Sequence, residues 1–298
     1  MGLNYMVGKE KALPTVADLL SNKGQKQLTM MKFFTLEEAA AAEVAGIDIA
    51  SVPADVLFHP EYRSVAPTIF SMAGQTHTEC GSPLAYLGWC NSALEKGADA
   101  LYCSGSFSTV EMLAKEYIPV VGHVGLVPAR ATWTGGFKAV GKTAKDAIEL
   151  LRQVKSYEQA GAIGVELEVV PVEVADEISK RTSILVWSMG AGAGCDAQYL
   201  FSNDILGYTE GHIPRHAKVY RDFKGEFERL QKERVGAFKE FVDDVNSGKF
   251  PEEPHLVRMQ PDELSKFREQ LDKILKPLFW ILSEKTCYPA EAFFFMRF

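Results

Sequence analysis

From residue 28 to residue 202 the chain alternates short apolar runs, rich in β-branched residues, with longer stretches whose apolar positions recur every three or four residues. The short runs predict strands at 28–33, 47–52, 68–72, 98–103, 118–123, 163–168, 183–189 and 198–202. The longer stretches predict helices at 36–45, 83–96, 109–117, 143–160 and 172–181. A strand buried on both faces reads as continuously apolar, so this alternation is that of a parallel sheet joined by crossover helices. Thr143 is placed to cap the start of its helix and Gly161 to end it. Ala45-Gly46-Ile47-Asp48, Lys96-Gly97-Ala98-Asp99 and Ala160-Gly161-Ala162-Ile163 repeat one junction, a helix closed by a left-handed glycine before a buried strand. Doubly wound sheets use the same junction, but eight strands in succession predict a closed (β/α)8 barrel of the TIM type.

Two departures from that regular pattern stand out. Residues 53–67 carry no helical periodicity, so the second crossover is predicted to be reduced. After residue 202 the pattern is helical, with a long charged stretch at 218–245, a Pro/Glu break at 251–254 and an amphipathic stretch at 261–282. The expected organisation is a barrel unit over 1–254, including an N-terminal helix and outer helices, followed by a helical extension and tail over 255–298. Charged helices of this kind read as solvated outer faces or contacts between copies of the chain.

Composition narrows the class of partner. The chain has 298 residues, 47% hydrophobic and 24% charged, with a net charge of −7. Neither nucleic acid nor an anionic membrane suits that charge as a main partner, because each needs a concentrated basic face. A small-molecule substrate is expected instead. The five cysteines form no CxxC pair and are odd in number, which fits reduced thiols. Lys9, Lys11, Pro14 and Asp18 interrupt the first 26 residues, and Lys276 and Pro277 interrupt the late apolar stretch. No signal-peptide core or membrane span is therefore predicted, and a cytoplasmic location is expected.

Barrel enzymes place their chemistry where the strands end. The fifth strand ends in Gly122-His123-Val124-Gly125-Leu126-Val127-Pro128. Its histidine can donate to a substrate oxygen, or equally be tied to a backbone carbonyl. The sixth ends in Val165-Glu166-Leu167-Glu168, and period-two alternation puts both glutamates on one side of the sheet. Glu168, nearer the tip, is the candidate general base, with a structural salt bridge as the alternative. The glycine-rich run Gly190-Ala191-Gly192-Ala193-Gly194 lacks the Lys-Ser/Thr ending of a phosphate loop and reads as a close approach to substrate or to a neighbouring loop.

Several of these motifs occur together and in order in one known family. Gly122 to Pro128, Gly135-Gly136-Phe137-Lys138, Glu168-Val169-Val170-Pro171 and Gly190-Ala191-Gly192 through Asp204-Ile205-Leu206-Gly207 resemble ketopantoate hydroxymethyltransferase. The resemblance begins at Thr15-Val16-Ala17-Asp18 and fades near residue 255. It implies a barrel of the phosphoenolpyruvate mutase and isocitrate lyase superfamily. The implied reaction transfers hydroxymethyl from methylenetetrahydrofolate to a 2-oxo acid with the help of magnesium, in a homo-oligomer that is a decamer in that family. Glu168 falls on the family's base and His123 on its substrate-contacting histidine.

The metal positions differ. Where the family ends its second strand with a metal-binding Gly-Asp-Ser, this chain has Pro53, Ala54 and Asp55. Its third-strand aspartate corresponds best to Ser71, and its fourth-strand Lys-x-Glu-Gly-Gly to Tyr102-Cys103-Ser104-Gly105-Ser106. Serine hydroxyls do not offset the charge of a hard cation as carboxylates do, so the magnesium site is not expected to survive in its family form. Ser71, Ser104, Asp55 and His123 are the expected substrate contacts. Asp55 is the remaining candidate metal ligand, joined by His77 or Glu79 if those do not simply form a polar loop. The family reaction, a metal-free lyase or aldolase on another oxo acid, and a noncatalytic homologue all stay open at this point.

Overall fold

The structure is a computed structural model that describes residues 12–74 and 80–283. It opens on α1 (Val16–Ser21), where the Thr15 hydroxyl accepts from the Asp18 N–H and Asp18 Oδ2 accepts from the Thr15 N–H at 2.8 Å. There follow β1 (Leu28–Lys32), α2 (Leu36–Ala45), β2 (Ile49–Val52), α3 (Ala54–Leu57), α4 (Tyr62–Val65), β3 (Phe70–Gly74), α5 (Pro83–Glu95) and β4 (Ala100–Tyr102). The chain continues through α6 (Phe107–Lys115), β5 (Val120–Gly125), α7 (Ala131–Thr134), α8 (Ala144–Gln159), β6 (Gly164–Glu168), α9 (Val172–Lys180), β7 (Leu185–Met189), β8 (Ala197–Phe201) and α10 (Ser202–Leu206). The eight strands pair in sequence order, all parallel, and β8 closes on β1. The expected barrel is the observed one.

Alternation along each strand sorts side chains into two cores. Leu28 and Met30 of β1, Ile49, Phe70, Met72, Ala100, Val121, Leu185, Trp187, Ala197 and Tyr199 fill the interior. Ala50, Ala73, Leu101, Val120, Val165, Leu167 and Val186 face outward and pack against the helices. Burying both faces explains the continuous apolar runs by which the strands announce themselves. The predicted caps also hold: the Thr143 hydroxyl accepts from the Asp146 N–H at 3.1 Å, and Gly46, Gly97 and Gly161 take φ of 81°, 103° and 87° at the helix-to-strand junctions.

The second crossover consists of the single-turn helices α3 and α4, too short to register as periodicity. Arg63 of α4 fastens this sector. Its guanidinium donates to the carbonyls of Ala66 at 3.2 Å and Ile69 at 3.0 Å, to the Gly97 carbonyl, and to Asp99 Oδ2 at 2.6 Å. Asp99 in turn accepts from the Ser71 N–H at 2.7 Å. One side chain thus joins the short crossover to the strands on either side of α5.

The chain divides into two compact units between Glu228 and Arg229, within the long helix α11 (Phe223–Ser247). The expected boundary at residue 254 lies inside the second unit, which also carries α12 (Pro261–Ser283). No helix among the described residues is long and apolar enough to cross a membrane.

Replacing Arg63 by Met should lower the free energy of unfolding by roughly 2–4 kcal/mol, because Asp99 and three carbonyls lose their donor together. Arg63→Lys should recover little, since an ammonium cannot present the same fork of donors. Urea titration checks both, and an unmoved midpoint in Arg63→Met would remove the clamp from this description of the fold.

Candidate functional site

At the carboxyl ends of the strands the inward series changes from apolar to polar. Next in line after Leu28 and Met30 is Lys32; after Ile49, Ser51; after Ala100, Tyr102; after Val121, His123; and Gly164 is followed by Glu166 and Glu168. These residues line a cavity of about 550 Å³, together with Ser104, Asp204 and His216.

The strand register dictates the central cluster. His123 lies opposite Glu166, and Gly125 opposite Glu168, in the β5–β6 pairing. His123 Nε2 stands 3.0 Å from Glu168 Oε2 and 3.8 Å from Glu166 Oε1. Nε2 is buried and faces these two carboxylates. Nδ1 meets the Tyr102 hydroxyl. Neither ring nitrogen is tied to a backbone carbonyl.

Charge in the cluster is set by competition. Burial disfavours the imidazolium, but Glu166 and Glu168 outweigh it, and the His123 pKa lies above its ordinary value. Burial likewise raises Glu166, with His123 opposing and Glu168 assisting. Burial, together with Glu166, holds Tyr102 well above the ordinary phenol range, so it stays a phenol. The site therefore places an imidazole that holds its proton more tightly than usual beside Glu166 and Glu168.

The backbone around Glu168 is tightly specified. Gly125 has φ of 92°, and a Cβ there would fall 2.3 Å from the Glu168 carbonyl oxygen, so only glycine fits. That carbonyl accepts from the Leu126 N–H at 2.9 Å. Val169, immediately after, has φ of 49°, an uncommon conformation for a β-branched residue, and its N–H donates to the Met189 carbonyl at 2.8 Å. The carboxylate at the tip of β6 is thereby aimed by both flanking turns. Gly190 similarly makes room for His216, whose ring would stand 2.8 Å from a Cβ there, in keeping with a glycine-rich loop built for close approach.

Of the expected contacts, Glu168, His123 and Ser104 meet at the cavity, and the Ser104 carbonyl accepts from Arg130 Nη2 at 2.6 Å. Two expectations need correction. Ser71 is buried on the outward face of β3, its hydroxyl 2.5 Å from the Tyr62 hydroxyl, because alternation gives the inward positions to Phe70 and Met72. Asp55 is exposed in the first turn of α3 and does not line the cavity; its neighbours Pro53 and Ala54 do. His77 and Glu79 lie outside the described residues. Sequence reasoning passed over Lys32 and Tyr102, although continuing the period-two series from Leu28 and Met30 points to the first.

Among the described residues, the inward ends of β2, β3 and β4 offer Ser51, Gly74 and Tyr102, with no carboxylate. That donor set does not fit magnesium, which needs several hard oxygen ligands. His123, Glu166 and Glu168 have ligand atoms within 4.8 Å of one another, but an imidazole in the set suits a transition metal better. Burial pushes the thiols of Cys90 and Cys195 up to about 12, away from the nucleophilic thiolate.

A sequence model described as ketopantoate hydroxymethyltransferase matches residues 89–253, more than half of the chain. A 3-methyl-2-oxobutanoate hydroxymethyltransferase of Halalkalibacterium halodurans is 38% identical over 169 residues, covering 56% of this chain and 58% of that protein. The protein of that name from Enterococcus faecalis is 40% identical over 157 residues, covering 53% and 54%. In Nitrosopumilus maritimus the figures are 34% over 181 residues, 60% and 62%. The chain spans little more than half the length of these curated relatives. Among solved structures, 2,3-dimethylmalate lyase, a PEP mutase/isocitrate lyase superfamily member, aligns over 87% of this chain and 100% of its own, at 14% identity and a TM-score of 0.47. The carboxyl transferase domain of Rhizobium etli pyruvate carboxylase aligns over 68% and 46%, at 10% identity and a TM-score of 0.47.

The raised His123 pKa has a testable consequence for stability. A histidine that binds its proton more tightly when folded contributes stability that is complete below the unfolded value of 6.5 and is lost as pH rises through the folded one. The unfolding free energy should therefore fall on going from about pH 6 to pH 9, and this slope should flatten in Glu166→Gln, where the imidazolium loses a partner. A slope unchanged by that substitution would separate the pH dependence from this cluster.

Proposed function

Because the chain belongs to the ketopantoate hydroxymethyltransferase family, we propose that it removes the proton next to the keto group of a small 2-oxo acid and joins the resulting enolate to a one-carbon unit. The observation that carries this reading is the Glu168 carboxylate at the cavity, 3.0 Å from the imidazole nitrogen of His123. A base for a carbon acid needs a fixed carboxylate in a largely desolvated place and a nearby positive charge to spread the enolate. Glu168 takes the proton, the C–H electron pair moves onto the keto oxygen, and His123, held by Tyr102, steadies the negative charge on this side of the cavity. Ser104 supplies a further polar contact to the substrate. Methylenetetrahydrofolate, when bound, supplies the carbon that is transferred.

A second reading keeps the enolate and changes its fate. The lack of carboxylates at the ends of β2, β3 and β4 among the described residues favours a metal-free lyase or aldolase acting on a related oxo acid. Both readings use Glu168 in the same role, whereas a noncatalytic homologue has no use for two buried glutamates facing a cavity.

Self-association suits the second unit. Val235, Phe238, Val242 and Val245 recur at three- and four-residue intervals on α11 and are exposed. Phe238→Glu should lower the molar mass measured by light scattering if that stripe joins copies of the chain; an unchanged mass would assign the stripe elsewhere.

Solvent exchange tests the chemistry. In deuterium oxide the protein should exchange the α-proton of 3-methyl-2-oxobutanoate, followed by proton NMR, and Glu168→Gln should slow this by roughly a hundredfold or more while circular dichroism shows the variant still folded. Exchange that persists in the folded variant would rule out Glu168 as the base.

A further inference from the structure

Lys32 is the last residue of β1 and continues the inward series of Leu28 and Met30, with Ser51 and Phe201 as its register partners on either side. It is the one lysine or arginine among the described residues lining the cavity. Three carboxylates, Glu166, Glu168 and Asp204, line the same space. Among the described residues, Lys32 makes no hydrogen bond or salt bridge; its ammonium rests instead 5.4 Å from the ring centroid of Phe34 and 5.1 Å from that of Phe201.

A half-buried ammonium with no direct ionic partner is costly in a fold, and here burial lowers its pKa despite the opposing field of Glu166. Such a charge is held ready for something absent from the chain itself. The other basic group of the cavity, His123, is already engaged by Tyr102 and stands beside two glutamates. An anionic substrate entering among three carboxylates would be repelled unless one fixed positive charge remained available to it.

We infer that the Lys32 ammonium is the binding cation of this cavity, receiving the carboxylate of a 2-oxo acid in the role that a divalent metal would otherwise fill. The inference rests on the enolate reading for its choice of ligand. Its physical content is separate: one lysine on β1 replaces the charge that the ends of β2, β3 and β4 no longer hold. Orientation follows from the geometry, because a carboxylate drawn to β1 leaves the rest of the molecule to extend across the cavity toward Glu168 and His123 on β6 and β5.

The test uses oxalate, a planar two-carboxylate mimic of a 2-oxo acid enolate that has no proton to exchange, so its binding requires no proton transfer to Glu168. The full chain is titrated calorimetrically with oxalate in the presence of a chelator, then again with magnesium. Wild type should bind without metal; Lys32→Met should weaken binding by roughly tenfold or more, and Lys32→Arg should restore most of it. Thermal melting should show Lys32→Met as folded as wild type. Unchanged binding in Lys32→Met, or wild-type binding that appears only with magnesium, overturns the inference. Loss of α-proton exchange with oxalate binding intact would instead fall on the enolate reading and leave Lys32 in place.

Discussion

A parallel sheet of eight strands closed on itself leaves each side chain two directions, into the barrel or out against the helices, and everything in the site depends on that choice. Along most of each strand both directions are apolar, which is what makes the barrel stable. Only in the last inward positions does the sequence turn polar, and there the register decides which polar groups meet. His123 opposes Glu166 and adjoins Glu168 because β5 and β6 pair without offset at those residues. A slip of two residues that set His123 opposite Gly164 would keep the alternation of faces and draw the imidazole away from Glu168.

The resulting cavity is a problem in charge balance within a low-dielectric space. Burial and the neighbouring Glu168 raise the pKa of Glu166, His123 opposes that rise, and the phenol of Tyr102 meets the imidazole at its other nitrogen. Lys32 lines the same space from β1, its ammonium held against the faces of Phe34 and Phe201 and not paired directly with a carboxylate.

How much of this was legible in the sequence follows from the range of the interactions involved. The barrel, the caps at Thr143 and the glycine junctions were readable because they rest on local periodicity and local backbone preference. Glu166 and Glu168 were readable as a pair because two residues on one strand share a side. The same rule, applied to 28–32, contains Lys32, and applied to 70–72 it excludes Ser71; motif alignment pointed to Ser71 because it matches positions along a chain and ignores the face they occupy. Asp55 was misplaced for a related reason, as the chain has already left β2 and turned into α3 at that point. The contact between Tyr102 and His123, and the reach of Arg63 to Asp99, join residues that no periodicity connects.

The Arg63 clamp carries an implication for how such a chain changes over time. In most of the barrel a strand is steadied by a long crossover helix whose packing would resist alteration nearby. Between β2 and β3 the crossover has only two single-turn helices, and one guanidinium ties it to Gly97, Asp99 and the start of β3, all at the opposite end of the strands from the cavity. That anchor lies away from the rim, where Pro53, Ala54 and Ser104 line the cavity. A lineage can exchange the chemical groups there one at a time while the barrel beneath stays as it was, which makes this arc the natural place for a new substrate preference to arise.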